Sequence, residues 1–129
     1  MNPAIDKTMS IPGFAAGRTN RAQIARIDAG GKGINVAKAL KQLGCPVMAL
    51  GFLAGNNGCT VAGALEAAAF PGEFVWAPGE TRVNLKIKDP LGHTETEINE
   101  SGPPVGAGAF EALGRKSEEA AARSERAPW

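Results

Sequence analysis

The chain has 129 residues, enough for one domain with a core of its own. Hydrophobic residues make up 43% and charged residues 21%, a balance that argues against general disorder, and a net charge of +1 gives no electrostatic footprint for nucleic acid. Two cysteines (Cys45 and Cys59) and one histidine exclude a disulfide-rich scaffold and make a poor metal set. Each cysteine reads as a small buried apolar residue or a free thiol. Met1-Asn2-Pro3-Ala4 starts without a basic and apolar leader pattern, and no apolar run nears the roughly 20 residues of a membrane helix. The expected setting is therefore the cytoplasm, with no membrane and no nucleic-acid partner.

In chain order, Asn2-Pro3-Ala4-Ile5-Asp6 reads as a loop, since Pro3 bars a regular interior. Residues 21–27 read as a short strand. Asp28-Ala29-Gly30-Gly31-Lys32-Gly33 is a glycine-rich loop that lets a ligand approach the main chain. A helix follows, because Val36, Leu40 and Leu43 repeat at i, i+4 and i+7, and Gly44 and Pro46 stop it. Residues 47–54 form a nearly unbroken apolar run and are expected to be a buried parallel strand. Gly55-Asn56-Asn57-Gly58 reads as a turn and residues 60–69 as a second helix ended by Pro71-Gly72. Val83, Leu85 and Ile87 alternate with Arg82, Asn84, Lys86 and Lys88, which is the period of a half-exposed strand. The turn Asp89-Pro90-Leu91-Gly92 then predicts a hairpin with residues 93–100. Residues 110–126 carry Glu–Arg neighbours and read as a helix. Ala127-Pro128-Trp129 stands where a further strand is expected. The order loop, helix, strand, helix predicts a doubly wound α/β arrangement.

Residues 30–33 feeding a helix are the strongest local signal, because free N–H groups and the helix dipole favour anions and polar oxygens there. Two nucleotide motifs fail. Lys32 is followed by Gly33 where a P-loop needs Ser or Thr, and Val36 stands where the dinucleotide fingerprint needs its third glycine. On spacing alone, a tight turn before a helix is as good a reading as a ligand loop. Asn35, in the first helical turn, suits hydroxyl ligands or a local backbone bond equally well. Taken singly, Asp6 can be a turn residue, and Arg82 and His93 solvated hairpin residues.

Taken together, four separated stretches resemble the PfkB (ribokinase-like) carbohydrate kinases. They are Asn2-Pro3-Ala4-Ile5-Asp6; Gly30-Gly31-Lys32-Gly33-Ile34-Asn35-Val36-Ala37 with Gly51-Phe52-Leu53-Ala54-Gly55; Gly79-Glu80-Thr81-Arg82-Val83-Asn84; and residues 96–103. The first, third and fourth are most similar to the phosphofructokinase and tagatose-6-phosphate kinase branch. The resemblance implies an α/β fold: an incomplete ribokinase-like, Rossmann-type parallel sheet with helices, plus a small β-sheet lid. Lid strands would lie at about 12–28 and 81–100, and the core at 29–76 and 105–129.

It also implies ATP-dependent phosphorylation of a ketose phosphate, either fructose 1-phosphate or tagatose 6-phosphate, with Mg²⁺ on the nucleotide. Asp6 would accept sugar hydroxyls. Gly30 and Gly31 would offer backbone contacts, and Asn35 another hydroxyl contact. Arg82 would grip the phosphate already on the substrate, with Arg18 assisting, and Asn84 would line the same pocket. A homodimer through the lid is a further implication. Family members carry an apolar strand before Asn-Pro-Ala-x-Asp, and their helix differs from the alanine-rich residues 59–71. Their ATP site and the catalytic base of a Gly-Ala-Gly-Asp motif lie further along the chain. Gly106-Ala107-Gly108-Ala109 mimics that motif but has alanine in place of the aspartate. The expectation is that these residues supply the sugar-phosphate-binding half, with no catalytic residue and no bound cofactor or metal of their own. The alternative is an inactive truncated remnant or a sugar-phosphate-binding module.

Overall fold

The structure, a computed structural model, describes residues 1–126, with the side chain of Ile24 excepted. Ala127-Pro128-Trp129, where a further strand is expected, lies outside the described residues. Nine elements follow one another: β1 (Ala4–Ser10), β2 (Ile24–Gly30), α1 (Lys32–Gln42), β3 (Ala49–Leu53), α2 (Gly55–Ala67), β4 (Gly72–Trp76), β5 (Arg82–Asp89), β6 (Thr94–Asn99) and α3 (Ala107–Arg126). The order β2-β1-β5-β6 makes a four-stranded sheet, and β3-β4 makes a parallel pair. Within the larger sheet β1 runs antiparallel to β2 and parallel to β5, and β6 returns antiparallel beside β5. The fold is thus α/β, as expected, with the parallel core sheet reduced to the β3-β4 pair beside a separate four-stranded mixed sheet.

Residues 4–6, read as a loop, instead start strand β1. Pro3 lies one residue before it, so it removes no ladder hydrogen bond, and pairing on both sides makes the strand. Strand β2 extends to Gly30, consuming the first part of the expected glycine loop, while residues 11–23 form an irregular connection. Strand β4 is a further element that the Pro71-Gly72 signal hid. Residues 55–58, read as a turn, open helix α2.

The core joins the two sheets. Ile5 and Ala29, register partners at one end of the larger sheet, pack in one cluster with Ile34 and Ala37 of α1, Leu53 of β3, and Val61 and Leu65 of α2. Helix α1 forms where its periodicity predicts, but its buried face is different. Val36 and Leu43 are 59% and 78% exposed, whereas Ile34 and Ala37 are buried. The small Ala37 lets the helix backbone approach the sheet, which a Val or Leu stripe would hold off. Helix α3 packs on β3 and β4 through an edge-on Phe52–Phe110 pair with centroids 5.1 Å apart and an Arg123–Glu73 ion pair. Both cysteines are exposed free thiols, not core residues. Among the described residues no helix is long and apolar enough to cross a membrane.

The far end of the larger sheet is tied by Asp89. Its Oδ1 accepts backbone N–H bonds from Gly13 (2.8 Å), Leu91 (2.9 Å) and Gly92 (3.0 Å), so one buried carboxylate pins both the hairpin turn and the irregular connection. The Gly92 bond first, and then that from Gly13, hold its carboxyl below the ordinary 3.8. A depressed folded value stabilises the fold above the unfolded carboxylate range, and that contribution is lost as pH falls through the folded value. Asp89→Asn should therefore melt at a lower temperature than the parent at pH 7, with the gap narrowing in melts below about pH 4. An equal gap at both pH values would contradict this role.

Candidate functional site

Period-two geometry sends alternate side chains of every strand to the same face. The registers align Asp28, Asp6, Asn84 and Asn99 in one row across all four strands of the larger sheet. Arg26, Thr8, Lys86 and Glu97 form the next row. This polar face and the start of α1 bound an open basin of about 630 Å³. Asp6, Gly31, Asn35, Arg82 and Asn84 all line it, so the structure brings together five of the seven residues singled out by sequence. Gly30 sits directly beneath the Asp6 carboxylate, and a Cβ there would collide with it. Arg18 is placed elsewhere: it lines a separate depression in the irregular connection, with Ile11, Thr19 and Arg21. The basin also gathers Asp28, Lys38, Lys86, Glu97 and Asn99. Sequence reasoning passed over these, because their side of the sheet follows only from the register. The alternation of Arg26, Asp28 and Gly30 along β2 was the signal available.

The centre of the basin is a directed chain of hydrogen bonds. Arg82 Nη1 donates to Asn84 Oδ1 (3.2 Å), and Asn84 Nδ2 donates to Asp6 Oδ1 (2.9 Å). The Asn84 amide can take only this orientation, since the flipped one would set its oxygen against a carboxylate and its NH₂ against a guanidinium. Asn84 is thus a neutral spacer that keeps the Asp6 anion and the Arg82 cation apart and in line. Among the described residues neither charge has an ion-pair partner, unlike Asp28, which pairs with Arg26 at 2.7 Å. Arg82 Nη2 has only a long contact to Asn2 O (3.4 Å), and its buried Nε has no hydrogen-bond partner among the described residues. A planar fork with donors to spare suits a bidentate oxyanion.

Gly31 turns the chain from β2 into α1 at φ +97, a conformation that favours glycine, and a Cβ there would lie 3.1 Å from Asn2 O. This turn delivers the first turn of α1, with Asn35, to the basin rim. One row further along the same sheet face, Lys86 lies 3.2 Å from Glu97 and 3.6 Å from Glu95. Its ammonium pKa is raised, first by the hydrogen bond to Glu97 and then by the charge of Glu95. Lys86 is accordingly a paired cation, whereas Arg82 is an open one.

The chain matches the pfkB family carbohydrate kinase model over residues 1–125. It belongs to this family. It is 39% identical over 113 residues to 1-phosphofructokinase of Rhodobacter capsulatus, an alignment covering 88% of this chain and 36% of that protein. It is 36% identical over 116 residues to 1-phosphofructokinase of Borreliella burgdorferi, covering 90% of this chain and 37% of that protein. The chain thus spans little more than a third of the length of these curated relatives. Phosphofructokinase-2 of Escherichia coli, solved in complex with fructose-6-phosphate, superposes with a TM-score of 0.86 at 24% identity, over 92% of this chain and 39% of that one. That likeness shows the shared fold.

The collision beneath Asp6 gives a direct check. Gly30→Ala should cost about 1–3 kcal/mol as an overpacked site. It should also shift the Asn84 side-chain amide resonances as Asp6 is displaced. A variant with parental stability and unchanged Asn84 resonances would contradict the packing described.

Proposed function

We propose that this chain is the sugar-phosphate-binding part of an ATP-dependent kinase acting on a ketose phosphate, with fructose 1-phosphate the substrate favoured over tagatose 6-phosphate. The observation that carries the reading is the Asp6–Asn84–Arg82 chain: a hydroxyl acceptor and an oxyanion fork held at opposite ends of one amide. The names of the curated relatives support the choice of sugar. Asp6, whose carboxylate has two oxygens, takes sugar hydroxyls. The Gly31 backbone and Asn35 bind from the α1 side, with Gly30 giving Asp6 its room. Arg82 takes the phosphate that the substrate already carries. The larger sheet (β1, β2, β5 and β6) acts as the lid, covering the sugar and excluding water. Arg18 lies outside the basin, in the separate depression of the irregular connection.

ATP and its Mg²⁺ enter as co-substrate of the whole protein. The residues present do not fit a resident metal, since no three His, Cys, Asp or Glu side chains converge among the described residues. Phosphoryl transfer depends on positioning, charge neutralisation and a base on the attacking hydroxyl. Of these, this chain contributes substrate positioning.

Arg82→Ala should weaken fructose 1-phosphate binding about 10- to 100-fold, the loss of a charge-assisted hydrogen-bond pair, while leaving weak fructose binding unchanged. Calorimetric titration of both sugars reads the two arms, and equal effects on both would overturn the phosphate assignment.

The reverse face of the lid supports a homodimer. Ile27, Leu85 and Ile98 stand in one row there with Lys7, and Ile27 and Ile98 are 57% and 55% exposed. An apolar row of this kind is a natural self-association face. Sedimentation velocity should show a dimer for the parent and a monomer for Ile98→Glu; identical profiles would rule this face out.

A further inference from the structure

Helix α2 begins without a cap of its own. Its N-cap residue is Ala54, which makes no side-chain cap bond, and its first turn holds no acidic residue. The missing anion comes from 24 residues further along the chain. Glu80 Oε1 accepts the Asn56 N–H and Oε2 the Asn57 N–H, both at 3.0 Å. Both carboxylate oxygens are therefore spent on orphan donors at the positive end of the helix dipole. The next residue continues the attachment. Thr81 Oγ1 accepts the Ala54 N–H (2.9 Å), Thr81 N donates to Ala54 O (2.9 Å), and Asn57 Nδ2 donates to Thr81 O (2.9 Å). Thr81 is 2% exposed. A Cβ at Gly55, which holds φ +59, would collide with the Glu80 carboxylate, so the sequence leaves room for it there.

This attachment sits where the chain passes from the core strand β4 to the lid strand β5, and Arg82 is the very next residue. Arg82 itself makes few close bonds: its nearest acceptor is Asn84 at 3.2 Å. The place from which its side chain reaches into the basin is thus set by residues 80–81 and the start of α2.

We propose that Glu80 is a positioning residue for Arg82: its carboxylate locks the start of β5 to the N-terminus of α2 and so fixes where the guanidinium meets the substrate phosphate. The inference rests on the sugar-phosphate reading of the basin and adds to it a residue that touches no substrate. Removing the Glu80 carboxylate leaves the Thr81 bonds and the pairing of Arg82 with Ala4 but loosens the start of β5, and misplacement by about 1 Å is enough to weaken a positioned interaction by one or two orders of magnitude. A cap that served stability alone would lower the melting temperature and leave the affinity of the folded fraction unchanged.

The test is a double-mutant cycle on the full chain, with fructose 1-phosphate as ligand and amide spectra confirming the fold. Glu80→Ala should weaken binding about tenfold, and Glu80→Gln, which keeps one good acceptor, by less. In the Arg82→Ala background Glu80→Ala should weaken binding no further. Full affinity in Glu80→Ala, or effects that multiply in the double variant, would overturn the proposal. Should Glu80→Ala fail to fold, Glu80→Gln in both backgrounds decides by the same comparison. If the parent chain itself does not bind the sugar phosphate, the reading of the basin fails, and the positioning claim is decided without ligand. Glu80→Gln should then shift and broaden the Arg82 Nε–H resonance while the β6 amides stay in place; an unmoved Arg82 signal would sink it.

Discussion

Strand β1 carries two opposed duties on alternate residues, and the rest of the molecule is arranged around that alternation. Ile5 points into the cluster shared with α1, β3 and α2, while Asp6, one residue on, opens to the basin. A slip of one residue would bury the carboxylate and expose the isoleucine, so the register is strongly specified. Pairing with β2 on one side and β5 on the other then sets Asp28 and Asn84 beside Asp6. The basin is therefore the reverse side of a packed core, and its polar groups stand on strands whose other face carries the buried Ile5 and Ala29.

On that rigid face the charges are sorted. Arg26 with Asp28, and Lys86 and Lys88 with Glu95 and Glu97, are neutralised locally. Asp6 and Arg82 are linked only through a neutral amide, which leaves one acceptor-rich and one donor-rich end facing the same volume. A ligand with hydroxyls at one end and an oxyanion at the other satisfies both. Exposed ion pairs such as that of Lys86 add little to stability. The open pair is the one suited to recognition, because its unmet hydrogen-bonding capacity is held in place before the ligand arrives.

Much of this was legible in the sequence wherever a local pattern matched a local structure. The alternation from Arg82 to Lys88, closed by Asp89-Pro90-Leu91-Gly92, gave the hairpin and its polar face. The glycines before Ile34 gave the start of α1, and the resemblance of four separated stretches named the residues that meet in the basin. What stayed hidden is non-local. Strand β1 shows no apolar alternation, since one of its faces lines the basin and the other carries Lys7, and only its two partners make it a strand. Val36, Leu40 and Leu43 outshine Ile34 and Ala37 as a stripe, yet the smaller pair allows close approach to the sheet. Residues 55–58 look like a turn because the anion that starts their helix is Glu80, far along the chain. Arg18 was placed near the substrate by a looser match, and the connection that carries it folds away from the basin.

The most direct measurement is a map of backbone and side-chain amide shifts in the 129-residue chain as fructose 1-phosphate is added. The account predicts saturable shifts concentrated at Gly30, Gly31, Asn35, Arg82 and Asn84, with the Asn84 side-chain amide among the largest. It also predicts little change in residues 11–23. Absence of saturable shifts at the basin, or shifts centred on Arg18 and its neighbours, would contradict it.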